Sequence, residues 1–197
     1  MMKSLEHLQK LQAIQVKASS WPCVDRTNCE GYMLSRHLRG LELQVAFEKL
    51  PTWINSSSVP NLYHLTVGPD AVDTQDMEVL GRFPELVYLN LQTDDDIIIP
   101  DIMGGGAFPK LRYYLTTASA RFLQGAMPSL ECVVYYIRDE CSGAKFERDI
   151  GSIGNLPCLD EVRLAFYRCA SVTREKGEAA LRQAVEVHPN NITVTVI

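Results

Sequence analysis

A short phrase that recurs along the chain constrains its fold more than any other feature. It consists of an apolar residue, proline, any residue, leucine, two further residues and a larger residue that is usually apolar. The five copies occupy residues 59–65, 83–89, 108–114, 127–133 and 156–162. In the last four copies a glycine stands two residues before the first apolar residue, at Gly81, Gly106, Gly125 and Gly154. This regularity indicates an internal repeat, and a repeat determines the architecture before any single element is assigned.

The leucine of the phrase also begins a wider pattern, L-x-x-Φ-x-Φ, in which Φ is usually apolar. Its seven copies begin at Leu11, Leu38, Leu62, Leu86, Leu111, Leu130 and Leu159. Successive copies are 27, 24, 24, 25, 19 and 29 residues apart. Both the pattern and its period resemble those of leucine-rich repeats, which recur about every 20 to 29 residues.

The pattern has a physical explanation. Its last two apolar positions alternate with other residues, as in a short strand that has one buried face. One such strand cannot bury that face alone, whereas strands stacked in parallel share a continuous core. Proline is tolerated where a strand begins, because no ladder hydrogen bond needs its missing N–H, and the glycine before it permits a tight turn. We therefore predict an α/β repeat solenoid.

The predicted solenoid is a curved leucine-rich-repeat horseshoe of about seven repeats. A parallel β-ribbon lines its concave face, and irregular loops and short helices cover its convex face. The strands are predicted near residues 11–17, 38–45, 62–67, 86–92, 111–117, 130–136 and 159–165. On the convex side we predict a short helix over residues 73–80, capped by Asp73 or Thr74, and an exposed loop at residues 139–143.

The two ends of the chain differ from the repeats between them. Residues 1–172 are predicted to form the repeats and residues 173–197 a C-terminal cap, in which an amphipathic helix of about 3 to 4 turns precedes an edge strand. The alternating apolar residues of that strand are Ile192, Val194 and Val196. At the other end no capping element is apparent, and an uncapped end exposes the core. Either residues 1–10 form a covering helix or the chain is the C-terminal part of a longer protein, and we favour the second.

Charge and hydropathy disfavour several classes of partner. The net charge of −5 counts against nucleic acid, because affinity for nucleic acid rests largely on Lys and Arg that neutralise phosphates. An uninterrupted apolar stretch of about 18 residues is absent, and the first residues do not lead into the apolar region of a signal peptide. The six cysteines form no C-x-x-C pair, so structural zinc is not expected. We expect neither a nucleic-acid partner nor a membrane span.

Motifs for catalysis are also missing. None of the four histidines lies in H-E-x-x-H, and no G-x-S-x-G, protein-kinase or phosphate-loop motif occurs. We therefore predict no enzymatic activity, no metal and no cofactor. The candidate functional residues are outward positions of the predicted strands, where tyrosine and arginine suit protein contacts: His64, Tyr88, Asn90, Gln92, Tyr113, Tyr136, Glu161 and Arg163. The alternative is a face that is only solvated or that packs against another domain of the same polypeptide.

The most specific sequence of the chain is A-L-R-x-A-V-x-x-H-P-N at residues 180–190. Together with the phrases at 83–89, 125–131 and 154–159, it closely resembles the C-terminal leucine-rich-repeat region of plant nucleotide-binding disease-resistance proteins, especially those of cereals. The resemblance covers essentially the whole chain. It implies a cytoplasmic immune receptor whose repeats recognise a pathogen effector or a guarded host protein and restrain the receptor's own nucleotide-binding domain. In that family ADP or ATP binds a domain that this sequence does not contain, so no nucleotide-binding residue is carried over.

Two other classes of leucine-rich-repeat protein are alternatives. One is the substrate-recruiting repeat region of an F-box ubiquitin-ligase adaptor, which would require an F-box segment upstream. The other is the extracellular ligand-binding domain of a receptor kinase. It is disfavoured because the repeats lack the N-x-L-x-G-x-I-P extension and no signal or membrane segment is present.

Overall fold

In the part of the chain that the structure describes, eight parallel strands form one sheet in which the spatial order equals the order along the chain. The computed structural model describes residues 10–17, 35–47, 49–69, 72–93, 106–117, 121–138, 140–167 and 171–197. The strands are β1 (Ala13–Lys17), β2 (Gly40–Phe47), β3 (His64–Pro69), β4 (Tyr88–Leu91), β5 (Tyr113–Thr116), β6 (Cys132–Ile137), β7 (Glu161–Phe166) and β8 (Thr193–Val196). This arrangement confirms the predicted repeat solenoid, because each repeat adds one strand beside the previous one.

The sequence phrase determines where each strand begins. β3 begins two residues after Leu62 and β4 two residues after Leu86, and the same offset holds for β1, β2, β5, β6 and β7. These leucines precede the strands; Leu11 is partly buried and the other six are buried. Because every strand begins at the same position of the phrase, equivalent residues are aligned across the sheet. The aligned inward residues include Leu41, Leu65, Leu89, Tyr114, Val133 and Val162.

The core lies between these inward residues and the convex side. In β4, Leu89 and Leu91 are fully buried, whereas Tyr88 and Asn90 between them remain partly exposed. The first apolar residue of the phrase also enters the core, since Phe83, Phe108, Met127 and Leu156 are all buried. The alternation in β4, β5 and β7 thus separates a buried face from an outward face, whereas most residues of β3 and β6 are buried on both faces.

The glycines of the phrase do not all serve the same purpose. Gly106 and Gly125 have φ angles of 87° and 78°, which is the left-handed conformation that a tight turn requires. The expected turn is wrong at Gly81 and Gly154, where a helix rather than a tight turn leads to the strand. At Gly81 the constraint is space, because a Cβ there would lie 3.2 Å from the Cβ of Ala107.

Among the residues that the structure describes, three α-helices and one 3₁₀ helix lie on the convex side. In α1 (Thr74–Gly81) the predicted cap is present, as the Asp73 carboxylate accepts from the Asp76 N–H at 2.9 Å. The loop predicted at 139–143 is wrong from residue 140 onward, where α2 (Glu140–Asp149) begins and continues into a 3₁₀ helix (Ile150–Asn155). The sequence signal for these two helices is a set of three apolar residues that are spaced four and then three positions apart. The residues that carry this spacing are Phe146, Ile150 and Ile153, all buried.

The C-terminal end is closed by a helix and a strand, as the predicted cap requires. α3 (Ser171–Glu186) packs against α2 and buries Leu181 and Ala184. The final strand, β8, pairs in parallel with β7 and extends the sheet by one strand. The helix considered for residues 1–10 lies, except for Lys10, outside the described residues.

The register predicts that replacing two leucines of neighbouring strands by alanine destabilises the protein to different extents. Leu89→Ala removes an inward side chain that is 0% exposed, so the free energy of unfolding should fall by about 3 kcal/mol. Leu115→Ala changes an outward, partly exposed side chain and should cost about 1 kcal/mol or less. Urea unfolding followed by circular dichroism measures both. Equal losses would contradict the assignment of inward and outward positions.

Candidate partner-binding face

The outward side chains of the sheet form one face, here called the concave face, and strand pairing arranges them in rows across it. The first row contains Ala13, Gly40, His64, Tyr88, Tyr113, Cys132, Glu161 and Thr193. The second row contains Gln15, Glu42, Thr66, Asn90, Leu115, Val134, Arg163 and Thr195. Six of the eight predicted residues occupy these rows. Tyr136 lies two residues further along β6, and Gln92 directly follows the end of β4. Their role in binding stays a prediction.

A histidine–tyrosine stack occupies the β3–β4 part of the concave face. The rings of His64 and Tyr88 lie 4.1 Å apart with planes 10° from parallel. His64 Nε2 lies 3.5 Å from a carboxylate oxygen of Glu42, and the other oxygen accepts from the side-chain amide of Gln15. Burial lowers the pKa of His64 below 6.5, against the opposing effect of Glu42. The imidazole is therefore mostly neutral at pH 7.

The same surroundings affect the tyrosine of the stack. Burial, assisted by the neighbouring Tyr136 and Glu42, raises the pKa of Tyr88 above 10.0. Both rings are therefore uncharged at neutral pH. Stacking holds them as one flat aromatic surface beside a single carboxylate.

The middle of the concave face is apolar and aromatic. Tyr113 is 40% exposed, while Leu115 and Tyr136 are half-buried and Val134 is buried. The Arg112 guanidinium lies 6.0 Å from the Tyr113 ring centroid, at the edge of this region. Tyrosines with one accessible edge and an anchored body are the side chains that most often supply affinity at protein interfaces.

A hydrogen-bonded cluster centred on Glu161 closes the concave face at β6–β8. The Glu161 carboxylate accepts from Arg163 at 2.7 Å and from the Thr195 hydroxyl at 3.0 Å. The hydrogen bond from Arg163 is the largest of the causes that lower the pKa of Glu161. Burial, together with the charge of Glu161, raises the pKa of the Cys132 thiol to about 11. The thiol is thus protonated at neutral pH and unsuited to nucleophilic chemistry.

Sequence reasoning missed several members of the two rows. Cys132 lies two residues after Leu130, which is the same position of the phrase that His64 and Tyr88 occupy in other repeats. This position could have identified Cys132 as an outward residue. Thr195 belongs to β8, which carries no copy of the phrase. Leu115 and Val134 are apolar residues in outward positions, which alternation alone does not distinguish from core residues.

A polar cleft of about 260 Å³ lies at the edge of the sheet where the strands begin. Its lining residues are Gln12, His37, Arg39, Asn61, Tyr63 and Glu85. The Arg39 guanidinium lies 5.8 Å from the Tyr63 ring centroid, and Lys110 pairs with Glu85 at 2.6 Å. These residues precede the strands, so a prediction based on strand alternation did not select them.

The described part of the chain contains no group of three or more His, Cys, Asp or Glu side chains placed to hold a metal ion. Among the helices that the structure describes, none has the length and apolar character needed to cross a bilayer.

The parallel ribbon and the two rows of outward side chains are those of a repeat protein that presents a surface for a partner. The chain matches the family described as "Leucine-rich repeat region" over residues 1–194, and it belongs to that family. No curated protein sequence matches the chain. Leucine-rich repeat regions act as protein-interaction modules and are typically non-catalytic.

The stack predicts the direction of a measurable titration. The pKa of His64, followed by NMR of its ring protons, should lie below 6.5, and Glu42→Gln should lower it further because the opposing carboxylate charge is lost. The folded chain then binds fewer protons than the unfolded chain near that pKa. The contribution of His64 to the free energy of unfolding therefore decreases as pH falls below 6.5. A pKa above 6.5 would show that Glu42 outweighs burial.

The thiol environments predict different reactivities. Cys158 is exposed, whereas Cys132 is buried with a pKa of about 11, so about one thiol in a thousand is ionised at pH 8. Alkylation by iodoacetamide at pH 8, followed by peptide mass spectrometry, should be at least about 30-fold slower at Cys132 than at Cys158. Glu161→Gln should accelerate the reaction at Cys132 because it removes the carboxylate charge. Equal rates in the folded protein would contradict the burial of Cys132.

Proposed function

We propose that the chain is the protein-recognition region of a cytoplasmic plant immune receptor of the nucleotide-binding leucine-rich-repeat class. Its partners are a pathogen effector or a guarded host protein, and the receptor's own nucleotide-binding domain. The observation that carries the binding role is the concave face, where aromatic and hydrogen-bonding side chains project from a rigid ladder. The receptor class is supported by the resemblance of residues 180–190 to that family.

The contacts within the concave face favour binding without reorganisation. The ring of His64 is stacked on Tyr88, and Glu161 is held by Arg163 and Thr195. Side chains already fixed in the free protein lose less conformational entropy on binding. The apolar middle, between these two groups, supplies the area whose burial favours association.

Restraint of a nucleotide-binding domain would follow from competition for this face. A partner shifts a conformational equilibrium only by its difference in affinity for the two states. An effector that binds the concave face more tightly than the nucleotide-binding domain does would release that domain. ADP or ATP would bind in the released domain, and this chain would contribute no residue to the nucleotide site.

The coding sequence upstream of residue 1 tests the receptor class. We expect it to encode a phosphate-loop motif, G-x-x-x-x-G-K-[ST], because that motif cradles the nucleotide in such receptors. An F-box segment would instead support a ubiquitin-ligase adaptor, and a signal peptide would support an extracellular domain. Sequencing of the full transcript distinguishes the three.

A double substitution tests the concave face. Tyr113→Ala with Arg163→Ala removes an exposed aromatic ring and a guanidinium from neighbouring rows, and should weaken binding to the upstream-encoded nucleotide-binding domain at least about tenfold. Isothermal titration calorimetry measures the affinity. Tyr63→Ala with Arg182→Ala replaces the same residue types outside both rows and should change it less than about twofold. Unchanged affinity in the first variant would exclude the concave face as the binding surface.

A further inference from the structure

The first row of the concave face has a gap beside the histidine–tyrosine stack. Gly40 of β2 lies opposite His64 of β3, and Ala13 of β1 lies opposite Gly40. Tyr88 covers one face of the His64 ring, but Gly40 has no side chain to cover the other. Among the atoms of the described residues, a Cβ built on Gly40 would meet only the Ala13 Cβ and Cα, at 3.5 and 3.9 Å. The gap therefore has room for an additional group next to the ring.

A carboxylate borders the same gap. Glu42 lies two residues after Gly40 in β2, and one of its oxygens is 3.5 Å from His64 Nε2. The side chains of Glu42 and His64 are each 32% exposed. Among the side chains that the structure describes, Glu42 has no lysine or arginine as ion-pair partner. One of its oxygens accepts a hydrogen bond from the side-chain amide of Gln15. Because that amide is neutral, the charge of Glu42 is not cancelled and is available to a cation that enters from solvent.

Arg39, which directly precedes Gly40 in the chain, is engaged outside the gap. The Arg39 guanidinium lies over the Tyr63 ring, at 5.8 Å from its centroid, in the cleft where the strands begin. On the other side of the concave face, the first-row carboxylate of Glu161 is already paired with Arg163. Glu42 thus differs from Glu161. The neutral ring of His64 and the gap at Gly40 lie beside Glu42, whereas the guanidinium of Arg163 lies beside Glu161.

We propose that this gap binds the guanidinium of an arginine from the protein partner, which pairs with Glu42 and stacks on the open face of the His64 ring. A guanidinium is planar, weakly hydrated and able to stack on a ring while it donates two parallel hydrogen bonds to a carboxylate. A lysine ammonium is a point charge with stronger hydration and gains little from the ring. The inference rests on the proposed function and identifies the residue that anchors the partner.

The electrostatics of the stack support this assignment. Burial keeps His64 neutral at pH 7, so the ring does not repel a cation, and Tyr88 behind it keeps the ring in place. Protonation of His64 would add a positive charge beside the bound guanidinium. The affinity for arginine should therefore fall as pH decreases through the pKa of His64.

Peptide binding tests the site directly. The probes are acetyl-Gly-Arg-Gly-amide and its lysine and glutamate counterparts, added to the full chain at pH 7.5 and low ionic strength. The ring-proton NMR signals of His64 report binding. The arginine peptide should shift them saturably, with a Kd on the order of 1 mM. The lysine peptide should bind at least about threefold more weakly, and the glutamate peptide should cause no saturable shift.

Matched variants separate the site from general charge effects. Glu42→Gln should weaken binding of the arginine peptide at least about tenfold, and Gly40→Val, which fills the gap, should do the same. Glu161→Gln removes the same charge from the other side of the concave face and should leave the Kd within about twofold. Because Glu42→Gln is nearly isosteric at a partly exposed position, it tests the site even if Gly40→Val fails to fold.

Four results would overturn the proposal. They are no binding of the arginine peptide, equal affinity for the arginine and lysine peptides, unchanged affinity in Glu42→Gln, and equal losses in Glu42→Gln and Glu161→Gln. The failure of this site is distinguishable from the failure of the proposed function. If the arginine peptide does not bind while Tyr113→Ala with Arg163→Ala still weakens capture of the nucleotide-binding domain, only the arginine site is wrong.

Discussion

Burial of one apolar row between aligned parallel strands is the constraint on which the rest of the structure depends. Leu41, Leu65 and Leu89 are aligned in neighbouring strands, and each is completely buried. A strand of four to eight residues cannot form such a core alone, so each repeat is stable only because its neighbours cover it. Every strand must therefore begin at the same position of the phrase, and the outward residues are aligned as a consequence.

This alignment gives the concave face its chemical character. Side chains that are far apart in sequence, such as Glu42, His64 and Tyr88, become neighbours because their strands are adjacent. The two ends of the face then differ in a way that matters for recognition. At β7 a carboxylate is neutralised by Arg163, whereas at β2 a carboxylate faces a neutral ring and an empty position. A partner with complementary charges would therefore bind in one orientation.

The accuracy of the sequence-based predictions varied with the strength of the periodic signal. The parallel strands and the α1 cap were predicted correctly, because Leu62 and Leu86 recur with a fixed spacing and Asp73 can accept from the first turn of a helix. α2 was missed because its Glu-Cys-Ser-Gly start has weak helix propensity, and tertiary burial of Phe146 outweighs that preference. At Gly81 the expectation of a turn was wrong because α1 occupies that part of the repeat.

The sequence by itself determined the architecture and the separation of inward from outward residues, because both depend on the local period of apolar residues. It also identified His64, Tyr88 and Arg163 as outward residues. Only the tertiary structure decided which of them meet. The stack of His64 on Tyr88, the proximity of Glu42, and the gap at Gly40 depend on the pairing of β2, β3 and β4. These contacts join strands about 4.8 Å apart through residues more than 20 positions apart along the chain, and no local pattern encodes them.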